Sequence, residues 1–308
     1  MTEQATRRVW RPGRPVDVVA TLGVLRHGAS DPAFQVGPDG LWWATRTHGT
    51  ATTLRLGVDR ADGTVLADAW GDAATELVDE LPQLLGEGDD LDGFVAHHSV
   101  VARAWRSHQG WRLPRTARVF EALAPAVLEQ KVTGGEAAAA WRTLLRQYGD
   151  RAPGPTPQPM WAPPSPSVWA AIPEWEWHRA GVTPQRARTL RRASTIGVQI
   201  EATSGGTASR AEVVLRSVPG IGVWTSAEVR QRAFGDPDTV SVGDFHLART
   251  ICWALEGDLR GRGDDARMLE LLEPYRGHRY RVQRLLELAG VNAPRRGPRY
   301  APPAHRSF

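Results

Sequence analysis

Residues 215–246 constrain the fold most strongly, because they place a glycine-rich turn between two helical patterns. The turn is the Pro-Gly-Ile-Gly sequence of residues 219–222. Gly220 and Gly222 can adopt positive φ angles at little cost and allow another backbone to approach closely. A second helix that begins near Val223 would present its free N–H groups and positive dipole end to a phosphate oxygen. The pattern therefore predicts a helix-hairpin-helix that holds a phosphate, although an ordinary connection between two helices has the same composition.

Asp244 is a single carboxylate that follows the hairpin in the sequence Val-Ser-Val-Gly-Asp-Phe-His, residues 240–246. Small and apolar residues surround it in the sequence, which is unusual for an aspartate of a surface loop that has no functional role. Two interpretations stay open at this point. In the first, Asp244 caps a helix that starts at Phe245. In the second, its carboxylate takes part in catalysis. The two are compatible, because a capping hydrogen bond would fix the carboxylate in place.

The basic side chains of the chain are almost all arginines. The 308 residues include 38 lysines and arginines, of which Lys131 is the single lysine, and the formal net charge is +4 at pH 7. The planar guanidinium group suits contacts with phosphate, so the composition permits an acidic partner such as nucleic acid. A coding bias toward arginine would give the same composition. The hydrophobic content of 41% is enough for two compact domains with real cores.

Cysteine content and hydropathy exclude several classes of protein. Cys252 is the single cysteine, which rules out a disulfide framework and an iron–sulfur cluster held by four cysteines. The nine histidines show no zinc-binding spacing. No apolar run is long enough to span a membrane, and the N-terminal sequence lacks the apolar core of a signal peptide. We therefore expect a soluble cytoplasmic protein that has no membrane partner.

Changes in pattern along the chain divide it into two domains and a tail. Residues 10–100 mix strand and helix patterns, and residues 16–25 and 53–58 within them alternate as strands do. Residues 101–291 follow helical patterns, and residues 292–308 are expected to form a mobile tail. The expected fold class is therefore mainly α with an N-terminal α+β domain.

Two local patterns refine this division. Residues 152–166 form a proline-rich loop that we expect to be too rigid and too polar for the core. Ser209, with Glu212 three residues later, has the spacing of a capping box that opens the first helix of the hairpin unit.

Three sequence elements resemble one known family. They are Leu-x-x-Val-Pro-Gly-Ile-Gly-x-Trp-Thr at residues 215–225, Gly-Asp-Phe-His at 243–246 and Val-Leu-Glu-Gln-Lys-Val at 127–132. Together they resemble the helix-hairpin-helix DNA glycosylases, the HhH-GPD superfamily, and within it the 3-methyladenine DNA glycosylase II branch. The resemblance extends over residues 10–290. It implies the helix-hairpin-helix glycosylase fold, preceded by a TATA-box-protein-like α+β domain.

The resemblance also implies a reaction on double-stranded, damaged DNA. Such an enzyme bends the duplex and flips the damaged nucleotide into a cleft. By resemblance, Asp244 is the catalytic residue, which stabilises positive charge on the sugar and positions or deprotonates a water molecule. Trp224 and Glu228 fall in the base pocket, where the indole would offer an aromatic face to a cationic alkylated purine. A core tryptophan and a solvent-facing carboxylate are the alternatives for these two residues.

Further positions are implied as DNA contacts. Eight residues match DNA-binding positions of the family, namely Gln130, Lys131, Pro219, Gly220, Ile221, Gly222, Thr225 and His246. Lys131 occupies the position at which the family would have an apolar side chain that wedges into the duplex. How the gap left by the flipped nucleotide is filled therefore stays open. The family also suggests a structural Na⁺ or K⁺ ion on the backbone carbonyls of Val218 and Ile221, and no other cofactor is required.

One departure separates this chain from the family's strand-cleaving branch. That branch has a lysine just after the hairpin, which forms a Schiff base, and this chain has Trp224 there. We therefore predict a monomeric, nucleoid-associated, monofunctional enzyme that removes alkylated purines of the 3-methyladenine type without cleaving the strand. Two alternatives stay open: a non-catalytic protein that binds lesions or DNA through the same hairpin, and a glycosylase for deaminated or oxidised bases.

Overall fold

The computed structural model describes residues 4–257 and 264–294, which fold into a mainly α structure preceded by a small α+β unit. This is the fold class that the sequence patterns predict. Of the predicted tail, residues 292–308, the part from residue 295 onward lies outside the described residues. Among the helices of the described residues, none combines the length and the apolar character needed to cross a membrane.

The α+β unit is built on a five-stranded antiparallel sheet. Its strands, in chain order, are β1 (Thr6–Trp10), β2 (Phe34–Gly37), β3 (Gly40–Thr47), β4 (Thr50–Val58) and β5 (Val65–Trp70). They lie in the order β1-β5-β4-β3-β2 across the sheet. β1 lies ahead of the predicted domain start at residue 10 and forms one edge of the sheet.

Successive residues of a strand face opposite sides of the sheet, and one side of this sheet packs on helices. Trp43 of β3 lies opposite Leu54 of β4, and both are buried. Three short helices complete this core: α1 (Val18–Leu22), α2 (Ala74–Asp79) and α3 (Leu81–Leu84). The strand predicted at residues 16–25 is wrong, because Asp17 caps α1 by accepting a hydrogen bond from the N–H of Ala20 at 2.8 Å.

The opposite face of the sheet is covered by the proline-rich segment, residues 152–166. Trp42 of β3 and Trp70 of β5 stack there, with ring centroids 5.3 Å apart. Met160 and Ala162 are fully buried and belong to the same apolar cluster as the two tryptophans. The expectation that this segment stays outside the core is therefore wrong, since its few apolar side chains are the ones that pack on the sheet.

Helices make up most of the remaining chain. The remaining elements are, in chain order, α4 (Ser99–Ser107), α5 (Val119–Leu128), α6 (Gly134–Tyr148), β6 (Asp150–Arg151), β7 (Trp161–Ala162), α7 (Pro166–Ala171), α8 (Glu174–Arg179), α9 (Pro184–Thr195), α10 (Gly197–Ala202), α11 (Ala208–Arg216), α12 (Val223–Val229), α13 (Leu247–Glu256), α14 (Asp265–Leu272) and α15 (Arg279–Leu288). Two apolar cores hold these helices together. One joins α5 through α12, and the other joins α4 to α13, α14 and α15.

Buried polar contacts join the α+β unit to the helices. The Asp31 carboxylate accepts a hydrogen bond from the indole N–H of Trp141 at 2.9 Å, and the Glu121 carboxylate accepts one from the Thr45 hydroxyl at 2.8 Å. Burial raises the pKa of Glu121 to about 7. Because these side chains come from distant parts of the chain, they fix the α+β unit against the helices.

Candidate active site

The predicted hairpin lies between α11 and α12. The N–H of Ile221 donates to the carbonyl of Val218 at 3.0 Å, and both side chains are buried. α12 begins at Val223, as predicted, and Gly222 precedes its first turn. The monovalent ion expected on the Val218 and Ile221 carbonyls stays a prediction. Within the described residues, no cluster of three or more His, Cys, Asp or Glu side chains could hold a metal ion.

The start of α11 differs from the prediction. Thr207 caps the helix, because its hydroxyl accepts a hydrogen bond from the N–H of Arg210 at 3.2 Å. The capping box of Ser209 and Glu212 is therefore wrong. Glu212 instead forms an ion pair with Arg230 at 2.5 Å, which ties α11 to the end of α12.

The two glycines of the hairpin differ in what they allow. Gly220 has a φ of +104°, and a Cβ atom there would lie 2.1 Å from Oγ1 of Thr189 on α9. Gly222 has a φ of −97°, so only Gly220 uses the positive φ that both glycines can adopt. No described atom lies within 4 Å of a Cβ atom built on Gly222. Gly220 therefore allows close packing against α9, whereas Gly222 leaves open space in front of α12.

Gln130 and Thr225 hold the hairpin in shape from inside the protein. The side-chain nitrogen of Gln130 donates to the carbonyl of Gly220 at 3.0 Å and to Oγ1 of Thr225 at 2.8 Å. Thr225 is buried, so its hydroxyl faces Gln130 and not the exterior. The side chains of these two predicted DNA contacts are thus engaged within the protein.

Of the other predicted contacts, Ile221 is buried and the rest are exposed. Pro219 lies at the tip of the hairpin, and His246 lies beside Asp244. Lys131 follows the end of α5 with a φ of +54°, a conformation that residues other than glycine rarely adopt. The chain therefore holds the single lysine outward in a strained conformation.

Arginines of α9 lie next to the hairpin. Thr189, against which Gly220 packs, shares this helix with Arg188, Arg191 and Arg192, whose side chains are exposed. Their guanidinium groups form no hydrogen bond or ion pair with the described part of the chain, and α9 carries no acidic residue. The surface beside the hairpin is therefore positively charged.

Asp244 is held by three hydrogen bonds at the start of α13. Its Oδ1 accepts from the N–H of His246 at 2.8 Å and from the N–H of Leu247 at 2.9 Å. Its Oδ2 accepts from the indole N–H of Trp224 at 3.2 Å. The half-buried carboxylate thus caps α13, which begins at Leu247 and not at Phe245. Capping and chemistry remain compatible, because the same bonds fix the orientation of the carboxylate.

A cavity of about 400 Å³ opens beside Asp244, within the range of small-molecule pockets, roughly 300–1,000 Å³. Gly23, Val24 and Arg26 of the α+β unit line it together with residues of α12, α13 and α15. Of the two predicted base-pocket residues, Glu228 lines the cavity and Trp224 does not. Trp224 therefore acts on this site through its hydrogen bond to Asp244.

Glu228 is a buried carboxylate in the wall of this cavity, so the solvent-facing alternative is wrong. One oxygen accepts a hydrogen bond from the Ser241 hydroxyl at 2.5 Å, and the other pairs with Arg232 at 2.7 Å. Burial raises the pKa of Glu228, against the opposing effect of Arg232. The ion pair neutralises the charge that Glu228 would otherwise present to a ligand.

The end of α12 supports the loop that leads to Asp244. The helix continues as one π-helical turn, Arg230–Phe234, a feature that is frequent at functional sites. Gln231 in this turn donates to the carbonyl of Thr239 and to Oγ of Ser241, each at 2.9 Å. The turn therefore fixes the start of the segment on which Asp244 lies.

The sequence analysis missed the contribution of α15 to the cavity. Tyr280, Gln283 and Glu287 recur at helical spacing and line one side of it. The available signal was a polar stripe on an otherwise apolar face of this helix. That stripe could not be assigned to the site from sequence, because α15 is distant from the hairpin along the chain.

Comparison with known proteins identifies the fold. No protein-family model and no curated protein matches the sequence. A 3-methyladenine DNA glycosylase from Archaeoglobus fulgidus is similar in structure, with a TM-score of 0.73 and 15% identity over 92% of this chain and 98% of that one. An 8-oxoguanine glycosylase/lyase from Clostridium acetobutylicum, in complex with double-stranded DNA, has a TM-score of 0.67 and 9% identity over 94% of this chain and 98% of that one.

A third similar structure covers less of the chain. It is a 3-methyladenine DNA glycosylase from Schizosaccharomyces pombe in complex with abasic DNA, with a TM-score of 0.52 and 13% identity over 65% of this chain and 96% of that one. The chain has the fold of the helix-hairpin-helix DNA glycosylases, with an N-terminal sheet domain, which confirms the predicted fold class. At these identities the similarity extends to the fold and not to the substrate.

Proposed function

We propose that the protein is a monofunctional DNA N-glycosylase, which removes damaged bases from double-stranded DNA and leaves the sugar–phosphate backbone intact. The observation that carries this proposal is the Asp244 carboxylate, which three hydrogen bonds hold beside a cavity of about 400 Å³ and next to the hairpin helix. An enzyme that acts on a base in a duplex needs such a cavity, because the target nucleotide must leave the base stack. The proteins of similar structure are named as DNA glycosylases, which supports the same conclusion.

In the proposed reaction, the bond between C1′ of the sugar and the base nitrogen breaks, and the base leaves with the bonding electron pair. Positive charge then develops on the sugar ring, and the Asp244 carboxylate stabilises it. A water molecule adds to C1′ and gives up a proton, for which Asp244 is the acceptor. A cationic alkylated purine leaves as a neutral base, whereas a neutral purine leaves as an anion that takes up one proton, supplied overall by the water molecule. The products are then a free base and an abasic sugar. Because Trp224 and two backbone N–H groups already orient the carboxylate, little rearrangement is needed during the reaction.

The hairpin would hold one strand of the DNA. The N–H groups at the start of α12, next to the open space at Gly222, suit a phosphate oxygen. A contact of this kind fixes position and carries no sequence information. A Na⁺ or K⁺ ion on the carbonyls of Val218 and Ile221 would add positive charge beside that phosphate. The proposal includes no other cofactor, and it takes the active species to be a monomer.

The absence of strand cleavage rests on the placement of one side chain. Glycosylases that cleave the strand use an amine as the nucleophile. The single lysine of the chain, Lys131, does not line the cavity, and Trp224 occupies the position after the hairpin. A similar structure is that of a glycosylase/lyase, so strand cleavage has to be measured directly.

Two classes of substrate are candidates. The sequence resemblance supports alkylated purines of the 3-methyladenine type, whose positive charge already weakens the glycosidic bond. Oxidised or deaminated purines are the second candidate, and the polar wall of the cavity favours them. A cationic base would be stabilised by aromatic faces or by an unpaired negative charge. The cavity wall instead has an ion pair between Glu228 and Arg232.

Duplexes with single defined lesions test this function. Base release would appear as strand breaks after alkali treatment, and we expect no breaks without it. Breaks that form without alkali would contradict the monofunctional assignment. If DNA binds but no lesion is released at any enzyme concentration, the protein is a non-catalytic binding module.

The arginines of α9 give a separate prediction about DNA binding. We expect Arg188→Gln combined with Arg192→Gln to weaken binding to damaged and undamaged duplexes equally, because the contact is with phosphate. Each lost phosphate contact lowers the slope of log K against log salt concentration by about 0.9, so the slope should fall by about two. Arg103→Gln combined with Arg106→Gln is the matched control, since both side chains are exposed on α4. An unchanged slope in the α9 variant would place the DNA elsewhere.

Trp224 is expected to be a positioning residue. Trp224→Phe removes the indole N–H from Asp244 and keeps an aromatic ring, and a hydrogen bond to a charged group is worth roughly a factor of 10 to 150 in rate. We expect kcat to fall within this range while KM and the Kd for DNA stay unchanged. Trp175→Phe, at an exposed position on α8, is the control. A raised KM with unchanged kcat would show that Trp224 instead contacts the base.

A further inference from the structure

Phe245 is an aromatic side chain that the protein leaves uncovered. It is 90% exposed, more than any other large apolar side chain of the described residues, and it directly follows Asp244 in the chain. Exposing a phenylalanine to water is unfavourable, because its apolar surface is more stable in a dry environment. A fully exposed aromatic ring next to the proposed catalytic carboxylate therefore points to contact with the DNA.

The ring of Phe245 lies at the rim of the cavity. Its centroid is 4.8 Å from that of the His246 ring, and the two rings meet edge to face. His246 lines the cavity, whereas Phe245 does not. The ring of Phe245 is thus outside the space proposed for the flipped base and beside its opening.

Hydrogen bonds fix the backbone on both sides of Phe245. Before it, the N–H of Gly243 donates to Oδ2 of Asp265 at 3.0 Å. After it, the N–H of His246 donates to Oδ1 of Asp244 at 2.8 Å. The direction in which Phe245 leaves the backbone is therefore set before DNA binds, so little backbone entropy is lost when the ring makes a contact.

The position that a flipped nucleotide vacates in the base stack would lie close to this ring. In the proposed reaction Asp244 acts on C1′ of the flipped nucleotide, whose sugar stays joined to its strand. Neighbouring Cα atoms are about 3.8 Å apart, so Phe245 lies beside the sugar whose base has left the stack. The hairpin that would hold this strand is tied to the same place, because Trp224 after it donates to Asp244 at 3.2 Å.

Lys131 is less suited than Phe245 to occupy the vacated position. The lysine ammonium group is strongly hydrated, and placing it between bases would remove that hydration. Within the described part of the chain, the Phe245 ring makes one ring contact, the edge contact with His246. Proteins that unstack a base step insert apolar side chains, phenylalanine among them.

We propose that Phe245 enters the duplex at the lesion and stacks in the position that the flipped nucleotide leaves. The ring replaces part of the stacking that the neighbouring bases lose, and it opposes return of the nucleotide to the stack. Lys131 is then left to contact a phosphate. The inference rests on the proposed function, because the place of the flipped nucleotide follows from the role of Asp244.

The test compares the Kd for two duplexes of one sequence, of which one contains a tetrahydrofuran abasic site and the other is undamaged. Tetrahydrofuran carries no base, so base removal does not enter the measurement. Phe245→Ala should weaken binding to the tetrahydrofuran duplex by roughly 5- to 150-fold, the contribution of one stack between a base and an aromatic ring. Binding to the undamaged duplex should stay unchanged, because phosphate contacts hold that complex. Val198→Ala, 84% exposed on α10, is the matched control and should bind both duplexes as the wild type does.

Phe245→Cys gives a positional measurement that does not depend on affinity. Cys252 is buried, so the introduced thiol is the one that reacts with a base that carries a thiol tether, placed opposite the tetrahydrofuran. We expect this variant to form the disulfide cross-link faster than Lys131→Cys does. The opposite order of rates would assign the gap to Lys131 and overturn the inference.

The outcomes separate this inference from the proposed function. Equal weakening on both duplexes, or no weakening in Phe245→Ala, would overturn the inference and leave the glycosylase activity standing. Selective weakening together with the cross-link would support the inference even if the wild type releases no base, a result that would overturn the proposed function alone. A wild-type protein that binds neither duplex would overturn both.

Discussion

Asp244→Asn is expected to abolish base release from damaged DNA while DNA binding persists. The substitution removes the negative charge that stabilises the sugar cation, and losing such an electrostatic contribution lowers kcat on the order of 10³-fold. Asparagine keeps a side-chain oxygen for the N–H groups of His246 and Leu247, so α13 retains its cap. The variant should therefore fold, bind a lesion-containing duplex with wild-type affinity and leave the base attached.

Single-turnover base release and the Kd for the same duplex measure these two effects together. Asp17→Asn is the matched control, because Asp17 caps α1 with its carboxylate and does not line the cavity. This control should keep wild-type activity. A variant at Asp244 with wild-type kcat would show that a different group supports the reaction.

Replacing each of the two hairpin glycines by alanine is expected to affect a different property, DNA binding for Gly222 and stability for Gly220. Gly222→Ala leaves the free protein unchanged, since a Cβ atom there meets open space. The same Cβ atom would obstruct an approaching phosphate, and losing a charge-assisted hydrogen bond should weaken DNA binding by roughly 10- to 150-fold. The loss should be equal for damaged and undamaged duplexes, because the contact is with the backbone.

Gly220→Ala should instead lower the free energy of unfolding. At a φ of +104° alanine is strained, by about 1–3 kcal/mol, and its Cβ atom would collide with Thr189. Chemical denaturation and DNA binding, measured on both variants, separate stability from contact. A Gly222→Ala variant that binds all DNA normally would contradict the phosphate site, and a loss confined to one lesion would point to contact with the base.

The parts of the site that the sequence predicts are those encoded within a short stretch of chain. The start of α12 at Val223 and the capping position of Asp244 follow from local hydrogen-bonding rules. The hydrogen bond from Trp224 to Asp244 also joins residues of one segment, but the family resemblance implied a different role for Trp224, in the base pocket. Local rules place a residue on an element and do not determine the direction in which its side chain points.

The parts that the sequence does not predict depend on contacts between distant segments. Residues of α12, α13 and α15 line the cavity together, so the place of Tyr280 and Gln283 in its wall has no local signature. The proline-rich segment is buried because Met160 meets two tryptophans of the sheet, which composition alone does not reveal. Pairing of Glu228 with Arg232 likewise joins two residues whose burial decides between the base-pocket and solvent-facing alternatives, which the sequence left open.

The central claim is that the protein hydrolyses the bond between a damaged base and its sugar. The most direct measurement incubates the wild-type protein with duplex DNA that carries alkylated, oxidised and deaminated bases, and identifies free bases by mass spectrometry. We expect that a damaged purine is released, that the DNA strands stay unbroken, and that the Asp244→Asn protein releases none. Tight binding to this DNA with no free base in solution would contradict the proposed activity.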